Sequence, residues 1–150
     1  MSEGNKRNGE YTLLHDNGIV KEQGVYVNDL LHGERREYYK DGSLASSRNY
    51  SNGVLDGKSV TYHEGKNLVK DEYFCVNGKI HGVFRSYDKN GQSTLHREYF
   101  HGEAKGISIG LENGVIWIII DYDPNMKAEY HEKLHHHIRG TVKYYSRDTH

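Results

Sequence analysis

The sequence predicts an all-β protein: an elongated, single-layer antiparallel sheet of about five tandem β-hairpin repeats of ~24 residues, with a C-terminal capping helix and a short final strand. Three series carry that prediction. Gly9, Gly33, Gly57, Gly82 and Gly106 follow one another at 24, 24, 25 and 24 residues. Gly18, Gly42, Gly65, Gly91 and Gly114 advance by 24, 23, 26 and 23, and Tyr26, Tyr50, Tyr73, Tyr99 and Tyr122 by the same steps. Series that hold register over five units mark a tandem array in which each unit packs on its neighbours.

Each unit reads as strand, tight loop, strand. The second glycine follows Asn17, Asp41, Glu64, Asn90 or Asn113, and Asn-Gly or Asp-Gly supplies the positive φ that short hairpin loops need. The two glycines of a unit lie nine residues apart in units one, two and four, and eight apart in units three and five. That predicts three-residue loops in the first group and two-residue loops in the second. Uninterrupted alternation then gathers Leu14, Val20, Tyr26, Tyr38, Leu44, Tyr50, Val60, Tyr62, Tyr73, Val83, Tyr87 and Tyr99 on one face. Glu37, Ser47, Asn49, Ser59, Thr61, Ser86 and Glu98 fall on the other. The same register sets Glu34 opposite Arg48 and Lys58 opposite Asp71, pairs of opposite charge. One Tyr-rich face and one polar face are expected.

The period breaks after Tyr122, which lies 18 residues before Gly140, where Tyr26 and Tyr50 precede their glycines by seven. Asp123 suits a helix cap and Pro124 a first turn, and Met126, Tyr130, Leu134 and Ile138 recur every fourth residue. Val115–Ile120 is apolar on both sides of a strand and needs cover. A capping helix over 123–139 is expected to provide it, with a truncated sixth repeat over 140–150.

Composition narrows the function. The 150 residues suit one domain, spanning the repeats of 9–122 and the C-terminal elements. Hydrophobic residues make up 35%, too few for a thick two-layer core, while 11% aromatics argue against disorder. A formal net charge of −1 gives no electrostatic case for nucleic acid. The longest apolar run, Val115–Ile120, is far short of a membrane span, so no membrane insertion is expected. With no apolar segment at its start and a single cysteine, Cys75, the chain is expected to be cytoplasmic.

The units at 33–42 (GERREYYKDG) and 50–57 (YSNGVLDG) resemble MORN repeats, in particular the variant of bacterial YwqK-like antitoxin proteins with its Tyr-x-Asn-Gly-x-x-x-Gly punctuation. The resemblance covers residues 9–122 and is clearest in units two to four. Unit one has Asn28-Asp29 where Asn-Gly is expected, and unit five has Leu111 in place of the tyrosine. The resemblance implies a non-catalytic module that binds another protein, as an antitoxin, an immunity-type inhibitor or a scaffold. The partner would be a cognate toxin or effector.

Two alternatives stand beside that reading. His131, Glu132 and His135 match H-E-x-x-H, the helical pattern that places two zinc ligands and a general base together in hydrolases. The residues after the His131–His137 cluster offer little beyond Asp148 and His150 as a third ligand, so His131 and His135 read first as part of a solvated helix face and only second as metal ligands, and no cofactor is expected. Membrane or lipid tethering, known of MORN repeats, lacks a basic patch. Cys75 reads as packing. Arg36, Arg48, Arg85 and Arg97 fall on the expected Tyr face. Rigid tyrosines flanked by arginines have the composition of protein-interaction hot spots. The predicted binding residues are therefore Arg36, Tyr38, Arg48, Tyr62, Arg85, Tyr87 and Arg97.

Overall fold

The computed structural model describes residues 5–113, 115–121 and 138–144. Its strands are β1 (Gly9–Leu14), β2 (Val20–Val27), β3 (Leu30–Leu31), β4 (Gly33–Tyr38), β5 (Leu44–Ser51), β6 (Val54–Tyr62), β7 (Val69–Val76), β8 (Lys79–Ile80), β9 (Gly82–Tyr87), β10 (Ser93–Phe100), β11 (Glu103–Glu112), β12 (Val115–Asp121) and β13 (Ile138–Tyr144). All belong to one sheet in the order β1-β2-β4-β5-β6-β7-β9-β10-β11-β12-β13, with β3 on β2 and β8 on β7. The expected meander of hairpins is present: β1–β2, β4–β5, β6–β7, β9–β10 and β11–β12 are antiparallel pairs. Among the described residues there is no helix.

The loops follow largely from their glycines. The His15 N–H donates to the Ile19 carbonyl, Tyr39 to Ser43 and Asp88 to Gln92, each at 2.8 Å. These bonds close the expected three-residue loops of units one, two and four. In unit five Glu112 pairs with Val115, which leaves the expected two-residue loop. Unit three differs. There His63 donates to Leu68 across a four-residue loop, and Asn67 takes a positive φ of 52° besides Gly65. The glycine spacing does not reveal that second left-handed residue.

Between units the chain reverses at Asn28-Asp29, Asn52-Gly53, Asn77-Gly78 and His101-Gly102, with both residues at positive φ in every case. This is the type I′ geometry that matches strand twist. Asp29 holds φ 71° without being glycine because Arg7 grips it: the Arg7 carbonyl accepts its N–H at 2.9 Å and Arg7 Nε donates to its carboxylate at 2.7 Å. The later turns bond to the unit before them. Gly53 N–H donates to the Leu31 carbonyl, Gly78 to Leu55 and Gly102 to Ile80, at 2.7–2.8 Å.

Every hairpin also holds one residue that plain alternation does not foresee. Leu13 pairs with Glu22 but Leu14 with Val20, which leaves Lys21 extra. Ala45, Lys70, Thr94 and Trp117 are extra at the same place in the other hairpins. A one-residue shift exchanges the faces of everything beyond it. The expected register is therefore corrected: Glu34 stands opposite Asn49, not Arg48, and Lys58 opposite Phe74, not Asp71. The single Tyr-rich face is corrected too. Cross-strand partners share a face, so the front carries Tyr38, Tyr62 and Tyr87 while the back carries Tyr26, Tyr50, Tyr73 and Tyr99.

One layer leaves little to bury. Among the described residues the buried apolar side chains are Val60 and Cys75, the latter 1% exposed, as its reading as a packing residue requires. Ser46, Ser59 and Ser108 are buried on the back beneath taller neighbours. Gly24 shows why small residues are needed there: a Cβ on it would lie 2.7 Å from Tyr11 Cε1. Stability comes from the backbone ladder and from cross-strand pairs of about 0.2–1 kcal/mol each, accumulated unit by unit.

The C-terminal expectation is changed by β13. Residues 122–137 and 145–150 lie outside the described residues, and most of the helix expected over 123–139 lies there with them. Its last two positions, Ile138 and Arg139, open β13 instead. β13 is not the first strand of a sixth antiparallel unit. It pairs parallel with β12, Ile116 with Ile138, Ile118 with Thr141 and Ile120 with Lys143. A parallel neighbour needs a connection of a dozen residues or more, and the longer segment after Asp121 supplies that length where the ordinary links do not.

Gly57 offers a local test of this architecture, because its φ of +109° lies where a Cβ is strained. Gly57→Ala should lower stability by about 1–2 kcal/mol in urea denaturation. Lys58→Ala, at an exposed neighbour, should change it by less than about 0.5 kcal/mol.

Candidate functional site

The seven residues expected to bind a partner divide between the two faces. Arg36 and Tyr38 of β4, Tyr62 of β6, and Arg85 and Tyr87 of β9 share the front. Arg48 pairs with Ser59 and Arg97 with Phe84, both on the back.

On the front the tyrosines are half-buried, and Tyr38 and Tyr87 are fixed at both ends. The Tyr38 hydroxyl donates to Gln23 Oε1 at 3.1 Å and that of Tyr87 to Glu72 Oε1 at 2.8 Å. Burial, then the bond to Glu72, raises the Tyr87 phenol above its ordinary pKa. Their backbone carbonyls are held from the preceding unit: His15 Nε2–H donates to Tyr38, the Tyr39 hydroxyl to Tyr62 and His63 Nε2–H to Tyr87, at 2.8, 2.7 and 2.8 Å. The residue six after the unit glycine, His15, Tyr39 or His63, thus places the tyrosine of the next unit. The arginines are open, with side chains 51% exposed at Arg36 and 47% at Arg85. Arg36 Nε donates to Glu34 at 2.9 Å, which raises Arg36 and lowers Glu34, and Arg85 lies 3.8 Å from Glu72. Exposed pairs of this kind contribute about 0–1 kcal/mol, so they orient the guanidiniums without withdrawing them from a partner.

Two open depressions flank this strip. One of about 270 Å³ is lined by Thr12, Gln23, Val25, Glu34 and Arg36, and one of about 250 Å³ by His81, Val83, Glu98, Phe100 and Lys105. Phe74 and Phe100, 48% and 52% exposed, also stand on the front. Sequence reasoning missed them. Each directly follows a tyrosine of the back face, Tyr73 or Tyr99, so the signal becomes readable only once the bulge has been placed.

The back is built for cohesion. A spine of polar contacts crosses four strands: the Tyr11 hydroxyl donates to Glu22 at 2.7 Å, Arg35 binds both Glu22 and Glu37, and Arg48 Nη1 donates to Glu37 at 3.0 Å. Arg35 stands directly opposite Arg48, and Glu37 between them cancels the repulsion. Burial pushes Glu22 upward, but the bonds from Arg35 and Tyr11 outweigh it and hold its pKa below the ordinary carboxylate value. Burial first, then Glu22, pushes Tyr11 up to about 12. In later units rings replace charges: Tyr73 stacks on Phe84 with centroids 5.4 Å apart, and Phe84 meets Tyr99 edge-on at 6.2 Å. Arg97 Nε donates to Ser108 at 2.9 Å, whereas Arg48 turns away to Glu37 and leaves the buried Ser59 Oγ without a partner among the described residues.

No group of three His, Cys, Asp or Glu side chains is placed to hold a metal among the described residues. His131, Glu132 and His135 lie outside them. No helix among the described residues is long and apolar enough to cross a membrane.

The MORN repeat variant family matches residues 7–28 and 31–52, each one hairpin with its following turn. The first two units are therefore the ones that the family comparison recognises, rather than units two to four, and the Asn28-Asp29 departure does not prevent the match. No curated protein matches the chain. The chain thus carries MORN-like repeats, and the later hairpins repeat their strand pairing and turn geometry.

The polar spine has a pH signature. Glu22→Gln should destabilise the fold by about 1.5–3 kcal/mol at neutral pH. The folded pKa of Glu22 lies below its unfolded value of about 4.3. Its contribution is therefore complete above that unfolded value and is lost as pH falls through the folded one. Chemical denaturation across pH should show a constant gap between the two proteins near neutrality that closes in strong acid.

Proposed function

We propose that this chain is a non-catalytic protein-binding module whose partner docks on the front face, with Arg36, Tyr38, Tyr62, Arg85 and Tyr87 as contact residues. The observation that carries the reading is the front strip itself. Three tyrosines sit at intervals of one unit, each with its carbonyl fixed by the unit before, and two open arginines stand beside them. Rings that are already ordered lose little entropy on binding, and Tyr and Arg dominate interaction hot spots. Arg48 and Arg97 leave the contact set, because they serve the back face. The resemblance to YwqK-like proteins supports a finer reading in the same direction: an inhibitor of antitoxin or immunity type that occludes a cognate toxin or effector.

The test is a titration calorimetry comparison with the partner protein. Arg36→Gln combined with Arg85→Gln should weaken binding roughly 10–100-fold and leave the melting temperature within a few degrees, since both ion pairs are exposed. Lys40→Gln with Lys89→Gln makes the same charge change at exposed loop positions and should bind as the parent does. Loss of binding in the lysine pair but not in the arginine pair would place the interface at the loops.

A further inference from the structure

Histidine stitches this stack at both of its edges, in two opposite chemical roles. At the loop edge, His15 and His63 direct Nε2 to the carbonyls of Tyr38 and Tyr87, each at 2.8 Å. A carbonyl only accepts, so both imidazoles donate. At the turn edge, the N–H of Asn52 points to Nδ1 of His32 at 3.4 Å, and the N–H of His101 to Nδ1 of His81 at 3.2 Å. A backbone N–H only donates, so these two imidazoles accept. Asn8 fills the same repeat position in the first unit, with its Oδ1 accepting the N–H of Asn28 at 2.8 Å. All three acceptors bind the first residue of the type I′ turn that closes the next hairpin boundary, a residue held at positive φ.

The roles respond differently to a proton. A neutral imidazole offers one donor and one acceptor, while an imidazolium offers two donors and no acceptor. We propose that the turn edge is a proton-operated latch: a proton taken up from solvent at Nδ1 of His32 and His81 removes the acceptors of the Asn52 and His101 amides and loosens those turns, each of which keeps the bond from its glycine to the Leu31 or Ile80 carbonyl. The loop edge keeps its bonds, because a charged His15 or His63 still donates to its carbonyl. Acidification thus loosens one margin of the stack and leaves the other fastened.

The surroundings of the two latches differ. The His81 ring lies 4.7 Å from the His101 ring and 5.2 Å from Phe100, and it shares a depression with Lys105 and Glu98. Lys79 packs beside Gly102 of the same turn, and on the β7 side the Phe74 carbonyl accepts the His81 N–H. A proton at His81 therefore adds charge beside Lys105, Lys79 and His101, with Glu98 as the carboxylate of that depression, and repulsion assists the loosening. The groups bonded to His32 are uncharged: the Val25 carbonyl, which accepts its N–H, and the Asn52 amide.

The repeat supplies its own control, because Asn8 makes the same bond with an amide oxygen that does not titrate in this range. Proton–nitrogen correlation spectra of the full chain, recorded from about pH 7.5 to about pH 5, should show the amide protons of Asn52 and His101 moving upfield while that of Asn28 stays in place. In His32→Asn the Asn52 amide should stop moving. In His81→Asn the movement of the His101 amide should shrink clearly. The proposal is overturned if Asn28 moves as far as the other two, if none of the three moves, or if the His101 amide titrates unchanged in His81→Asn. Should a variant fail to fold, the parent titration decides alone, with Asn28 as the internal reference.

Discussion

In each of the five hairpins the strand leaving the loop carries one residue more than the strand entering it, and that residue, Lys21, Ala45, Lys70, Thr94 or Trp117, reverses the faces of all that follows it. Because side chains alternate with period two, a shift of one exchanges front for back. A second irregularity recurs between units. At Arg48–Tyr50 against Leu55–Ser59, and at Glu98 against Lys105, the register slips by two, near Gly57 and Gly106. A slip of two kinks the strand but leaves every side chain on its own face. The unit thus combines one reversal with one neutral kink, and this combination gives a sheet with a tyrosine series on each side.

The two sides then take different work. Back-face groups bind one another, through the Tyr11–Glu22–Arg35–Glu37–Arg48 spine at one end and the Tyr73–Phe84–Tyr99 rings at the other. Among the residues whose burial is described, the buried apolar side chains are two, Val60 and Cys75, so a distant element has little interior there to contribute to. Cohesion is local and passes from neighbour to neighbour, as expected of a one-dimensional array. The front adds bonds of its own across unit boundaries, from the Tyr38 hydroxyl to Gln23 and from the Tyr87 hydroxyl to Glu72. Its tyrosine carbonyls are held by side chains of the preceding unit and the adjoining Arg36 and Arg85 stay open, the arrangement on which the binding proposal rests.

The period, the five hairpins and four of the five loops were legible in the sequence because glycine and asparagine mark positions where φ must be positive. The bulges were not. Their residues are lysine twice, alanine, threonine and tryptophan, which share no chemistry, since a bulge is set by the chain geometry beside the loop rather than by the residue occupying it. Opposite charges then pointed to the wrong register. Glu34 with Arg48 looks favourable on paper, yet the fold accepts Arg35 opposite Arg48 because Glu37 bridges both. The acceptor position before three of the unit glycines escaped notice for a similar reason: Asn8, His32 and His81 are one amide and two imidazoles, united only by the lone pair that they present to a turn amide. The parallel β13 was hidden as well. Eleven extra residues are visible as an interruption, but a longer link does not itself say in which direction the next strand will run.

The division of the tyrosines between faces is the claim on which the binding proposal stands, and ring-to-ring nuclear Overhauser effects test it most directly. The account predicts contacts from Phe84 to Tyr73 and to Tyr99, and from Tyr11 to Tyr26, whose ring centroids lie 4.7–6.2 Å apart. A single tyrosine face would put Phe84 on the opposite side of the sheet from Tyr73 and Tyr99, so absence of both Phe84 contacts would contradict the account.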